Sequence, residues 1–465
     1  MSDPLHPHGA NPEHLREPGW AVYGPSRRSL LKGAAALATP LALGGLARAQ
    51  EQGATAEQPA DLPTLKIGLI GCGGRGTGAA WQALHAEDGS VVLWAMGDAF
   101  EDRLEGSRSY LETALAEEGH AARMDVAPER RFVGFEAFKQ VIDSGVDVVL
   151  LTSVPAFRPA HLTYAVERGV HVFCEKPMAV DVPGIHQVRA ACEVARTKGL
   201  SLVSGFCWRY NAMHRATFER IHAGAIGDVQ AMYTNYYTGV LGNRNREEGW
   251  SDTEWQLRNW HHFSWLSGDH IVEQAIHSID KQSWAFGDEP PERAIAIGGC
   301  QTRSGPQKGN TFDHFGVVYE YSGGRRAFML ARQWPNSYGE NNDFLYGSAG
   351  RATIENWTPY HEIVGPGNWR WEYEGEGNDM YQQEHDELFA SIRAGTPMND
   401  GDWMTTSNLL AIMGREAAYS GRAITWDELL ASTKRLGPPG MESGVIEWGD
   451  LAAGDDPEAG KYEFA

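Results

Sequence analysis

Apolar residues arrive along the first half of this chain in short blocks separated by helical patterns. Ile67, Leu69 and Ile70 form one block, Val91 to Met96 a second, and further blocks fall at 146–153, 171–174 and 200–207. Runs of this length and composition read as strands covered on both faces, and helical patterns at 160–168 and 183–198 lie between them. Alternation of this kind predicts a parallel sheet with helices on both sides. After a helix at 214–223 and a turn at 224–228 the pattern changes. Residues 229–237, 295–300, 315–321 and 326–333 are strand-like runs separated by glycine turns rather than helical crossovers. They predict a second domain with a large, mostly antiparallel sheet. A helix is expected from Asp269 onward, others at about 381–394 and 403–420, and an acidic, glycine-rich tail from 438 to 465.

The first block runs directly into Gly71-x-Gly73-x-x-Gly76. The first glycine permits a tight turn, the second admits a pyrophosphate close to backbone N–H groups, and the third lets the following helix sit against the strand. Gly74 and Arg75 complete the turn. The second block ends at Asp98, 22 residues beyond Gly76, where a dinucleotide fold places the carboxylate that meets the adenine ribose hydroxyls. The expected architecture is therefore α/β: a Rossmann dinucleotide-binding domain at 65–210 and an α+β domain at 211–437, for which the family resemblance given below implies a substrate and dimerisation role. Ligands of such sheets lie outside the carboxyl ends of the strands, which selects Asp98, the segment from Ser153 to Arg158, and Glu175-Lys176-Pro177.

Composition narrows the partners. With 61 acidic and 40 basic residues the net charge is −21, which opposes nucleic acid and anionic membrane surfaces. Sixteen tryptophans leave room for an aromatic platform under a sugar ring, and the five cysteines show no metal or disulfide spacing. Before the first strand, Arg27-Arg28, a mildly apolar stretch and Ala47-Arg48-Ala49 read as a twin-arginine export signal over 1–49, with a linker at 50–64. The apolar stretch is too short for a membrane span.

Two constellations carry chemistry. Lys176 ends a strand facing the nicotinamide position, where a buried amine donates to a substrate oxygen. Glu273 and His277 are four residues apart, so one helix would put a carboxylate beside an imidazole and raise its basicity. His270 adds a metal reading, but it lies roughly 10 Å from His277 along a helix axis, so no metal is expected there.

The glycine turn, Asp98, Glu175-Lys176-Pro177 and Glu273-x-x-x-His277 together resemble the Gfo/Idh/MocA oxidoreductases, over about Leu65 to Ser432. Phe157-Arg158-Pro159, Cys207 to Tyr210 and Gly268 to Gln274 resemble an exported subgroup. The resemblance implies a sugar, polyol or glycoside oxidoreductase with Lys176 and His277 handling the hydroxyl proton and Glu273, where the family has aspartate, orienting the imidazole. It implies Gly71, Gly73, Gly74, Arg75, Gly76, Asp98, Ser153, Glu175, Lys176 and Arg209 at the cofactor, and Arg158, Tyr210, Arg258, Trp260 and His261 at the substrate. Asp98 with no immediate arginine favours NAD over NADP. Export implies a retained cofactor and a periplasmic enzyme, expected to be a homo-oligomer. Two alternatives stay open: a glycoside hydrolase acting by transient oxidation and elimination, and a non-catalytic dinucleotide sensor.

Overall fold

The computed structural model describes residues 63–86, 90–305, 308–358 and 360–464. The export signal and nearly all of the linker lie outside the described residues. Six strands build the first sheet: β1 Leu65–Ile70, β2 Val91–Asp98, β3 Arg131–Val133, β4 Val148–Leu151, β5 His171–Cys174 and β6 Leu202–Ser204. Their order is β3-β2-β1-β4-β5-β6 with every pairing parallel. The central strands are buried on both faces, as continuous apolar runs require. The order reverses at β1, so a crevice opens over the ends of β1 and β4, where the glycine turn sits.

Nine strands build the second sheet: β7 Val229–Thr238, β8 Arg293–Gly299, β9 His314–Glu320, β10 Arg326–Gln333, β11 Asn342–Gly347, β12 Arg351–Glu355, β13 Tyr360–Val364, β14 Arg370–Glu372 and β15 Ile424–Thr425. All its ladders are antiparallel except that between β7 and β10. Burial alternates strictly along β9 and nearly so along β10, because only one face is covered. Helices Ile276–Ala285 and Gly401–Ser420 cover it. The other face leaves Ile295, Ile297, Phe328, Leu330 and Tyr346 exposed.

Two segments cross the boundary drawn from the sequence. Helix Met380–Ala394 leaves the second sheet and packs on the first, with Leu388 and Phe389 in the same core cluster as Ile67, Leu69 and Phe173. Helix Gly401–Ser420 is buried on nearly every side. Its Asn408 carboxamide accepts from the N–H groups of Met178 and Ala179 at 2.7 and 3.1 Å, and Arg415 Nη1 donates to Val180 O at 2.6 Å. Polar side chains on this helix thereby fix the chain that follows β5.

The tail is an ordered strap. Leu436 N–H donates to Asp181 Oδ2 at 2.8 Å, and Met441 and Ile446 are buried with Phe157 and Trp265. Trp448 then packs at a tilt against Phe135 and Phe100, 4.4 and 5.5 Å between ring centres. Further on, Leu451 O accepts from Gln256 Nε2 at 2.6 Å, and Tyr462 packs edge-on to Tyr419 at the end of the buried helix. Its acidic, glycine-rich composition hides a few large anchors, each packed against a different element, with Met441 and Ile446 buried and Trp448 still exposed on one side.

Candidate active site

The glycine turn has the geometry a pyrophosphate needs. Gly71 has φ 96°, and a side chain there would strike the backbone of Ser153 and Thr152. A Cβ on Gly76 would overlap Gly71 O, whereas one on Gly73 would meet nothing within 4 Å. The open space is thus at the one glycine whose backbone must face a ligand. Helix Gly74–Leu84 begins here with no side-chain cap, which leaves its first N–H groups for an anion. These features fit a dinucleotide.

At the end of β2, Asp98 Oδ2 accepts from Cys72 N–H at 2.6 Å and Oδ1 from Phe100 N–H at 2.9 Å. The carboxylate is tied to the glycine turn itself. Burial raises its pKa, and the two N–H bonds and Arg103 oppose the rise. Arg103 belongs to a cationic group with Arg244 and Arg258 that the sequence reading did not anticipate. Arg258 binds Asp102 at 3.0 and 3.1 Å and Glu254 at 2.9 Å, and its guanidinium lies 4.0 Å from the Phe100 ring centre. It therefore stands at the Asp98 end and not beside Lys176.

At the end of β5, Glu175 and Lys176 diverge. The Glu175 carboxylate accepts from Arg75 Nε, and Arg75 Nη2 donates to Glu384 at 2.8 Å. The Arg75 side chain is a brace between the glycine turn, β5 and helix Met380–Ala394. Lys176 is 8% exposed, and its Nζ donates to Glu273 O at 2.6 Å and approaches Glu273 Oε1 at 3.4 Å. His277 lies beyond the β6 tip, edge-on to Phe206 at 6.4 Å.

The expected continuous helix from Asp269 is broken. Asp269 has φ 75°, residues His270–Glu273 form one turn, and a separate helix begins at Ile276. Glu273 and His277 consequently do not share a helical face, and Glu273 turns to Lys176 instead. Asp269 sets where the first turn starts, its carboxylate accepting from His270 N–H, Phe312 N–H and Tyr419 OH, while the break falls at Gln274 and Ala275, where His277 N–H reaches Gln274 O at 3.3 Å and the Glu273 carbonyl accepts from Lys176 Nζ. His270 Nδ1 is held between Asp269 Oδ1 and Phe312 O, both at 3.2 Å.

Three buried atoms at this end have no partner among the described residues: Glu273 Oε2, His277 Nδ1 and Arg158 Nε. Unsatisfied buried polar atoms are costly, and their concentration at strand tips marks a place where a ligand completes the network. Burial holds His277 well below the usual histidine range, reinforced by the cations of Lys176, Lys281 and Arg75, so its imidazole is neutral at pH 7. Burial alone would raise Glu273, but Lys176, His261 and Arg158 bring it below the ordinary carboxylate range. His261 is depressed to about 4 by burial despite Glu273 nearby, and its ring stacks on Trp260 at 3.6 Å. Arg158 is buried, with Nη1 donating to Pro177 O at 2.7 Å. Ser153 Oγ is 3.0 Å from His161 Nδ1.

Two residues assigned to ligands serve the framework. Arg209 is clamped by Asp280 and Asp288 through contacts of 2.6–3.1 Å, and Tyr210 OH donates to Asp400 at 2.8 Å inside the core. Neither signal was local: the partners lie 71 to 190 residues away.

Comparison with known proteins agrees with the geometry. The sequence model of the Gfo/Idh/MocA oxidoreductase family, described as an NAD-binding Rossmann fold, matches residues 65–206. A 2,7-anhydro-N-acetylneuraminate hydratase of Escherichia coli is 25% identical over 46% of this chain and 54% of its own. An inositol 2-dehydrogenase of Saccharopolyspora erythraea is 44% identical over 31% of this chain and 36% of its own. The chain thus spans about half the length, or less, of these relatives. The aldose-aldose oxidoreductase of Caulobacter crescentus, solved with glycerol, superposes over 78% of this chain and all of its own with TM-score 0.61 at 19% identity, a likeness of fold. Over its first domain, then, the chain matches the Gfo/Idh/MocA oxidoreductase model, described as an NAD-binding Rossmann fold.

Proposed function

We propose that the protein is an exported, NAD-dependent oxidoreductase acting on a hydroxyl of a sugar, polyol or glycoside, with a cofactor retained through many cycles. The observation that carries this reading is the convergence of Lys176 Nζ, Glu273 and the unpartnered His277 Nδ1 at the β5 and β6 tips, beside the glycine turn. NAD bound along the strand tips would supply the hydride acceptor. Lys176, steadied by the Glu273 carbonyl, donates a hydrogen bond to the substrate oxygen. Neutral His277 takes the hydroxyl proton, and burial, helped by the nearby cations, keeps it from being protonated beforehand. Arg158, His261 and Trp260 supply a buried cation and a stacked ring pair suited to a polyhydroxylated ring.

The strap supports retention. Trp448 lies against Phe100 and Phe135 at the Asp98 end, and the backbone after it is bonded to the helix Asp252–Arg258. Asp98 favours NAD, while Arg103, close enough to lower the Asp98 pKa, is a cation on the same side that a 2′-phosphate could use. Export rests on the paired arginines and Ala47-Arg48-Ala49. Association rests on the open apolar face of the second sheet, whose exposed row includes Ile297, Phe328 and Tyr346.

The elimination-type hydrolase is the second reading, favoured by the neutral, unpartnered His277 and by a relative named as a hydratase of an anhydro sugar. Denaturing the isolated protein and identifying any released dinucleotide tests retention. Following NADH absorbance with a panel of sugars and glycosides then separates the readings. Absorbance that persists until a carbonyl compound is added supports net oxidation. Free glycone without lasting absorbance supports hydrolysis, and ligand binding without turnover would leave a sensor.

A further inference from the structure

Helix Gly74–Leu84 starts at the glycine turn and ends at His85, while helix Glu101–Glu117 starts just after Asp98 and ends at Glu118. The two ends meet, and His120 follows on the second. One ligand atom from each of His85, Glu118 and His120 lies within 4.8 Å of the other two.

Hydrogen bonding fixes what this cluster needs. His85 Nδ1 is 2.7 Å from Trp81 O. A carbonyl only accepts, so Nδ1 carries the proton, and in the neutral ring Nε2 is a bare lone pair. That lone pair faces Glu118 Oε2 at 2.8 Å, which is also an acceptor. A positive charge must stand between them, either a second proton or a metal ion. Two further observations select the metal. The His120 ring lies edge-on to His85 at 5.9 Å, bringing a second imidazole to the same point, for which a simple ion pair has no use. Glu118 also sits at the negative end of a helix, where a carboxylate is unfavourable unless a cation accompanies it.

We infer that His85, Glu118 and His120 bind a borderline divalent cation of the zinc, nickel or copper class. Two imidazoles and one carboxylate suit these ions and not magnesium or calcium. The Trp81 carbonyl plays the outer-sphere part, fixing the ring and raising its basicity. All three residues are at least partly exposed, so an ion can enter and keep water in its fourth position. The ion would join the far ends of the two helices whose starts frame the dinucleotide, roughly 16 Å from the glycine turn, and so serves stability rather than catalysis.

The spacing pattern misses this site because the residues come from two helix ends 33 positions apart. The test is calorimetric titration of chelator-stripped, tag-free full-length protein with zinc chloride, alongside His85→Gln, His120→Ala and a magnesium chloride control. His6, His8 and His14 add weak zinc binding, so the difference between wild type and variant is counted. The expected result is one zinc per chain lost in both variants, weakened by roughly 10²-fold or more, with zinc raising the Tm of the wild type alone. Neither residue touches the candidate active site, so activity and far-UV circular dichroism of the variants report intact folding. Equal isotherms for wild type and His120→Ala, or magnesium binding as tightly as zinc, would reduce the cluster to an ion pair and overturn the proposal.

Discussion

The two ends of the cleft are built in opposite ways. At the Asp98 end the charges at the strand tip are already answered, Asp98 by two N–H groups and Arg258 by Asp102 and Glu254, with Phe100, Phe135 and Trp448 packed around them. At the Lys176 end the groups are more deeply buried yet less satisfied, with unpartnered atoms on Glu273, His277 and Arg158. A prebuilt end holds a ligand through shape and fixed hydrogen bonds. An unsatisfied end waits for groups that change charge during reaction. The contrast separates holding from chemistry, and substitutions should divide along the same line.

The largest effect is expected at the unsatisfied end. Lys176→Ala should lower kcat by roughly 10²-fold or more while denaturation still releases the dinucleotide, and His277→Asn should do the same. If either variant instead loses bound cofactor with turnover per loaded site unchanged, the division of labour is wrong. Glu273→Gln should cost less, about 10-fold, because the Glu273 backbone carbonyl still holds Lys176 Nζ at 2.6 Å. Comparable losses in Glu273→Gln and Lys176→Ala would mean that the carboxylate, not the carbonyl, positions the amine.

At the other end, Trp448→Ala should speed dinucleotide release by about 10-fold and leave kcat at saturating cofactor unaltered, consistent with roughly 1 kcal/mol for an aromatic contact of this kind. A fall in kcat at saturation would extend the influence of the strap to the chemistry. The smallest effect concerns pH. His277 has its pKa depressed in the folded protein, so it stays neutral as pH falls through 6.5, while an unfolded chain takes up the proton. Folding stability is therefore present above pH 6.5 and drains away on acidification toward the lower folded value, joined by His261 down to about 4. The rate profile should keep its plateau through pH 6.5 and fall only below it, in parallel with Tm. An acid limb centred near 6.5 would point to an exposed histidine instead.

How much of this was legible in the chain follows from how local each signal is. The glycine turn, Asp98 and Glu175-Lys176 each declare themselves within a few residues, and the structure places them at adjoining strand tips as their spacing implies. Glu273 and His277 were legible as a pair by count but not by geometry. The turn is started by Asp269 through Phe312 and Tyr419, 43 and 150 residues away, and the Glu273 carbonyl is taken by Lys176, 97 residues away. Arg209 and Tyr210 look like ligand contacts in a short motif, and only the fold brings Asp280, Asp288 and Asp400 to occupy them.

By itself, the amino-acid sequence determined the alternation that makes the first sheet parallel, the glycine turn whose geometry fits a dinucleotide and the change to an alternating, one-faced sheet after 228. These follow from steric and burial periodicities within single elements. Only the tertiary structure decided that Met380–Ala394 returns to the first sheet, that the acidic tail crosses to Phe100 and Phe135, that Glu273 serves Lys176 rather than His277, and that His85 meets Glu118. Each of these depends on which distant partner removes a buried charge or apolar surface from water, and that choice is made by the whole chain at once.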